Sequence, residues 1–150
     1  MGEHVERAAA EDALRRAGLR ATEGRVAVLT LLESMPHSDA DTVHSAVRGV
    51  LPTTSIQSVH NILGDLSVVG LLRRIEPAGS PARYERRTGD NHHHVVCKRC
   101  GSISDVDCVI GAAPCLTPSS TAGFAVSEAE VTFWGLCPPC QAELADSPMQ

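Results

Sequence analysis

In the opening stretch "EHVERAAAEDALRRAG", Ala and Leu recur between charged residues at helical spacing, and Gly18 stands where a C-terminal cap belongs. The pattern predicts a helix over 8–17. In "TEGRVAVLTLLESMP", Val26, Leu29 and Leu32 share one face, Thr22 is placed to cap the helix start, and Met35-Pro36 should end it. Ser38 with Asp41 three residues on resembles a capping box for a third helix through Val43, Ala46, Val47 and Val50, broken by Leu51-Pro52. Ser55 is placed to cap a fourth, whose apolar face is Ile56, Val59, Leu63 and Leu66 and whose end lies just before Gly70. "LLRRIEPAGSPARYERR" then reads as two short strands around a Pro/Gly turn. Helices joined by a tight turn and followed by a hairpin make a winged helix-turn-helix.

Beyond the linker-like Thr88-Gly89-Asp90, "HHHVVC", "SISDVD" and "FAVSEAEVTFWGL" read as strands, with "CVIGAAPCLTPSS" poorly defined between the last two. The expected architecture is therefore α+β, with a winged-helix DNA-binding domain over 1–88 and a second, small domain over 89–150.

Charge sharpens that division. The net −5 is not evenly spread: residues 1–88 carry eleven Arg against eleven acidic groups, while residues 89–150 carry Lys98 and Arg99 against seven. All but one of the Arg thus lie in the half that reads as a winged helix. The helix from Ser55 would be the recognition helix, with Ser55, Gln57, Ser58, His60 and Asn61 as candidate DNA contacts. Gln and Asn can each grip an adenine edge with two hydrogen bonds, worth about 1–3 kcal/mol of discrimination. Arg73 and Arg83 of the hairpin could lie against phosphates. The bland alternative is a small helical domain with a solvated polar face. No stretch approaches the roughly 18 apolar residues of a membrane span, and the charged start carries no signal region. A cytoplasmic protein without a membrane partner is expected.

All six cysteines fall between residues 97 and 140, four of them as Cys97/Cys100 and Cys137/Cys140. Two such knuckles can supply four thiolates to a tetrahedral structural zinc. A thioredoxin-type dithiol at "GLCPPC" is the rival, but it leaves the first knuckle unexplained and needs parallel βαβ units that the pattern does not offer. In a strand, His92 and His94 share a face and His93 points away; Asp105 and Asp107 share a face of the next strand. Histidine with carboxylate suits Fe(II), Mn(II) or Zn(II), although a histidine triplet on a polar surface strand would look the same. Cys108 and Cys115 are left over, either inert small hydrophobes or a redox pair brought together by the Gly and Pro residues between them.

Together, "GLRATEGRVAVLTLL", "SMPHSDADTVHSAV", "TSIQSVHNILGDLSVVGLLRRI", "RYERRTGDNHHHVVCKRCG" and "FWGLCPPC" resemble the Fur (ferric uptake regulator) family over nearly the whole chain. "GDNHHHVVC" and "DVDC…APCLT" look most like its FurA branch, repressors linked to catalase-peroxidase genes. The resemblance implies a homodimer of a winged helix and a C-terminal α/β dimerisation domain, bound to double-stranded operator DNA. It matches Cys97, Cys100, Cys137 and Cys140 to structural zinc ligands. It matches His37, Glu85, His92, His94 and Asp105 to a regulatory Fe(II) or Mn(II), or Zn(II) in vitro. The implied function is a metal-dependent, peroxide-responsive repressor of oxidative-stress or iron genes, and not an enzyme.

The chain departs from the family at His60-Asn61, where Tyr-Arg is usual. Asn91 and Ala129 replace histidines of a further metal site, which is expected to be absent or crippled. Two other readings stand beside this one. A metal-dependent hydrolase would use His92, His94 and Asp105, and a zinc-stabilised interaction module would bind no second metal.

Overall fold

The computed structural model describes residues 2–86, 92–107, 119–126 and 129–146. The chain divides into two compact units, Met1–Gly89 and Asp90–Gln150. Among the described residues, no helix is long and apolar enough to cross a membrane.

The first unit holds α1 (Gly2–Arg16), α2 (Glu23–Ser34), α3 (Ala40–Val47), α4 (Ile56–Val68) and the strands β1 (Arg73–Ile75) and β2 (Arg83–Glu85). Helix α1 begins earlier than the apolar spacing suggests, because Arg7 and Arg15 pair with Glu11 one turn away and extend it through a polar stretch. It ends at Gly18, whose φ of 79° a side chain would resist. There Leu19 N–H bonds to Leu14 O at 2.9 Å and Gly18 N–H to Arg15 O at 3.0 Å, a closure that turns the chain toward α2. Gly70 ends α4 by the same pair of bonds, to Leu66 and Ser67.

Thr22 caps α2 by accepting from Arg25 N–H, and Ser55 caps α4 by accepting from Ser58 N–H. The cap of α3 differs from the expected one. Asp39, not Ser38, accepts from Thr42 N–H at 2.8 Å, while the Ser38 hydroxyl turns back to donate to Met35 O at 2.8 Å. Helix α3 also stops at Val47, leaving Val50 64% exposed beyond it.

Leu14, Val28, Leu29, Leu32, Val43, Val47, Val59, Leu63 and Leu66 are almost wholly buried and form one core with Leu72 and Tyr84. Each such aliphatic side chain contributes roughly 1.5–3 kcal/mol. Ile56, expected on that face, is partly exposed at the helix start. The hairpin pairs Arg73 with Glu85, Arg74 with Tyr84 and Ile75 with Arg83. An isolated bridge between Ser38 and Tyr84 draws the 35–38 loop against β2.

The second unit holds β3 (His92–Cys97), β4 (Ile103–Asp107), β5 (Thr132–Gly135) and α5 (Pro138–Ala145). The strand order is β4-β3-β5, with β3–β4 antiparallel and β3–β5 parallel. Among the described residues of the long third candidate, only Thr132–Gly135 are strand; Phe124 and Val126 are exposed outside it. The central strand is buried along most of its length.

Candidate metal sites and nucleic-acid face

Parallel pairing of β3 with β5 sets Cys97 beside Gly135, and Lys98 N–H bonds to Gly135 O at 2.8 Å. This register brings the start of the first knuckle close to the start of the second, because α5 begins with Cys137 as its N-cap and Cys140 in its first turn. The ligand atoms of Cys97, Cys100, Cys137 and Cys140 all lie within 4.8 Å of one another. Cys100 and Cys137 Sγ are 3.6 Å apart.

A tetrahedron with zinc–sulfur bonds of about 2.3 Å has sulfur–sulfur edges of roughly 3.8 Å, so the four thiols fit zinc. Four thiolates close the coordination sphere, the pattern of a structural ion. The dithiol rival falls here, since the second knuckle stands with the first.

The electrostatics of these thiols are uneven. Backbone N–H groups of Cys100 and then Cys137 hold the Cys97 thiol down at about 6. The Ser102 side chain, 3.3 Å from Cys100 Sγ, lowers that thiol too. Cys140 is pushed up to about 12, first by its hydrogen bond with Cys137 and then by burial. A cluster of thiols cannot all ionise at neutral pH unaided, and a dication supplies the missing charge. Ser102 is a contributor that the spacing of cysteines does not reveal; the only hint is a hydroxyl two residues past the knuckle.

The histidine and carboxylate groups form two arrangements, one in each unit. In the first unit, His37 Nε2 lies 2.8 Å from Glu85 Oε2, and Glu85 is 1% exposed. His37 holds a left-handed backbone at φ 62°, unusual for a residue with a β-carbon. Its N–H bonds to Tyr84 O at 3.0 Å and its own carbonyl accepts from Arg83 Nη1 at 3.3 Å. The guanidinium of Arg83 is thus half-buried and engaged within the unit. Arg73 is half-buried on the neighbouring strand.

In the second unit, His92 and His94 stand on one face of β3 as the period-two pattern requires, their rings edge to face at 4.8 Å between centroids. Register places His94 opposite Asp105 and His92 opposite Asp107. Asp105 Oδ1 lies 3.3 Å from His94 Nε2 and 3.5 Å from His92 Nε2. Both imidazoles are buried, as is His93 on the other face, which removes the reading of the triplet as a polar surface strand. Two imidazoles and one carboxylate converging on one side match the donor set of non-haem Fe(II) and related divalent ions.

On α4, Ser55, Gln57, Ser58, His60 and Asn61 are all exposed. Ser55 Oγ donates to Ser58 Oγ at 3.1 Å, and Gln57 Nε2 donates to Asn61 Oδ1 at 3.0 Å. His60 lines a cavity of about 360 Å³ with Asp39, Asp41, Gly64 and Arg74. Cys108, Cys115, Asn91 and the expected linker Thr88-Gly89-Asp90 lie outside the described residues.

The model of the ferric uptake regulator family matches residues 16–133. The chain belongs to the ferric uptake regulator family. Regulators of this family bind operator DNA as dimers, and this Fur-family chain is a metal-responsive transcriptional regulator. The hydrolase reading is not favoured. Transcriptional regulator FurA of Mycobacterium tuberculosis is 56% identical over 127 residues, covering 85% of this chain and 86% of that one. The peroxide operon regulator of Bacillus subtilis is 32% identical over 135 residues, covering 86% and 89%. In fold, the chain is similar to the ferric uptake regulator Fur of Helicobacter pylori, with a TM-score of 0.67 at 23% identity over 87% of this chain and 88% of that one.

Proposed function

We propose that this Fur-family regulator is a peroxide-responsive repressor of oxidative-stress, catalase-peroxidase or iron genes, with a regulatory Fe(II) or Mn(II) as corepressor. The winged-helix unit would face the operator with the exposed surface of α4 that carries Ser55, Gln57, Ser58, His60 and Asn61, with Arg73 and Arg83 near the backbone. The second unit would carry dimerisation and the four-cysteine zinc. The regulatory ion would draw His37 and Glu85 from residues 1–88 and His92, His94 and Asp105 from residues 89–150. Occupancy would then favour one arrangement of the units by its differential affinity for it. A coupling of about 1–3 kcal/mol changes operator affinity by roughly 5- to 150-fold.

The observation that carries this reading is Asp105 Oδ1 held between the Nε2 atoms of His94 and His92. Fe(II), when bound, supplies the electron that activates peroxide. The chain's part is to hold imidazoles against the ion, and oxygen added to His37 or His92 would weaken that hold. The likeness to a regulator named for peroxide in Bacillus subtilis supports this branch.

The test is operator affinity of zinc-loaded protein titrated with Fe(II) or Mn(II), repeated after peroxide and with His92→Ala. An affinity that does not rise with either ion rejects the metal-dependent repressor. Mass spectrometry that finds no oxygen on a histidine peptide after peroxide treatment of the iron form rejects oxidation of these imidazoles as the sensing route.

A further inference from the structure

Helix α4 presents a pair of carboxamides that act as one group. At about 100° per residue, Gln57, Asn61 and Gly64 fall within roughly 60° of arc, opposite the buried Val59, Leu63 and Leu66. Gln57 and Asn61 are one helical turn apart and joined by the 3.0 Å bond from Gln57 Nε2–H to Asn61 Oδ1. The Ser55 hydroxyl is engaged within the cap, donating to Ser58 Oγ and accepting from Ser58 N–H. His60 lines the cavity beside Asp39 and Arg74.

An amide oxygen has two lone pairs and an amide nitrogen two hydrogens. With one lone pair of Asn61 Oδ1 taken by Gln57, the other still faces the same way as an N–H of Asn61 Nδ2. That remaining acceptor–donor edge is complementary to the N6–H and N7 of adenine in the major groove. Without Gln57, the terminal torsion of Asn61 has two nearly equivalent settings, and half of them present the edge reversed.

Asn61 is short, so its amide can reach a base only if the groove comes close to the helix. Gly64, on the same face, leaves that approach open: a Cβ built there would meet nothing within 4 Å.

We infer that Asn61 reads one adenine of each half-site and that Gln57 is a positioning residue, fixing the orientation of the Asn61 amide rather than reading a base itself. This rests on the reading of α4 as the recognition helix given under Proposed function, and deepens it.

Selection from a randomised duplex library with metal-loaded, full-length protein at one fixed salt concentration tests it. Asn61→Ala should flatten the preference for A·T at one position per half-site, by roughly 5- to 150-fold, the span equivalent to a bidentate base contact. Gln57→Ala should weaken preference at that same position, and the double variant should resemble Asn61→Ala alone. Gln57→Glu, nearly isosteric but unable to donate to Oδ1, should also lose it. A loss of helix packing or of charge balance would lower affinity for all duplexes alike and leave that positional preference intact. Flattening at two different positions, additive effects, or an unchanged preference in both single variants would overturn the assignment. A wild-type protein that enriches no duplex at all rejects the DNA reading of α4 itself, and this inference with it.

Discussion

His37 and Glu85 are 48 residues apart in sequence and meet with Nε2 2.8 Å from Oε2. Three features of the first unit make them meet. The Ser38–Tyr84 bridge lays the 35–38 loop along β2. Tyr84 O holds His37 N–H, and a left-handed backbone at His37 turns its ring toward the carboxylate. A buried carboxylate is costly unless it is partnered. The local fold therefore maintains a histidine–acid pair at the end of the wing.

Replacing Glu85 with Gln keeps the volume and one acceptor but removes the charge. Mn(II) affinity of zinc-loaded protein should fall by tenfold or more, about 1.4 kcal/mol or greater, with little change in melting temperature. Calorimetric Mn(II) titration checks it; an unaltered affinity would separate this pair from the regulatory ion.

Cys140 lies in the first turn of α5, and Cys97 ends β3. Zinc on all four thiols would clip helix to sheet across a long intervening stretch of sequence. Structural zinc in small modules contributes on the order of 10 kcal/mol. Cys140→Ser should therefore release the zinc and the strand signal of the second unit, while the helical unit keeps its own melting transition. A metal-release assay read together with far-ultraviolet circular dichroism distinguishes this from a dispensable ion.

Local signals were readable where one residue sufficed. Thr22 and Ser55 cap α2 and α4, and Gly18 and Gly70 end helices, because each role needs only a hydroxyl or a missing side chain at one place. Ser38, read as the cap of α3, is not the cap, for a physical reason: "HSDAD" offers several capping side chains in succession. The tertiary bridge to Tyr84 removes Ser38 from contention and leaves Asp39. The parallel partnership of β3 and β5 has no local signature at all, since strand alternation does not say which strands pair. The four-cysteine cluster was nonetheless legible, because two knuckles state their chemistry by composition. The burial of His92 and His94 was not, since a histidine triplet reads equally well as exposed.

The Asp39 cap has a pH signature. Hydrogen bonding from Thr42, first through its backbone N–H and then its hydroxyl, holds the Asp39 carboxyl below its ordinary value of 3.8. Because the folded value lies below the unfolded one, the contribution is complete above about pH 4 and is lost as pH falls through the folded value. Asp39→Ala should cost about 1 kcal/mol at pH 7. That deficit should shrink when urea unfolding is repeated near pH 3. A deficit equal at both pH values would show that the ionised cap is not its source.

Three glycines of the first unit should respond differently to the same Ala substitution. Gly64 sits inside α4 with open space where a Cβ would go, so Gly64→Ala should stabilise by about 0.5–1 kcal/mol through helix propensity. Gly24 is also helical, but its Cβ would stand 3.0 Å from Ile62 Cδ1. Gly24→Ala then gains propensity only by displacing a side chain packed against the core, and its net effect should fall below that of Gly64→Ala. Gly18 has space around it but a φ of +79°, so Gly18→Ala should destabilise by about 1 kcal/mol. Urea midpoints of the three variants at one pH give the order. If Gly18→Ala proved as stable as the wild type, the left-handed closure of α1 would be in error, and with it the turn that delivers Thr22 to the start of α2.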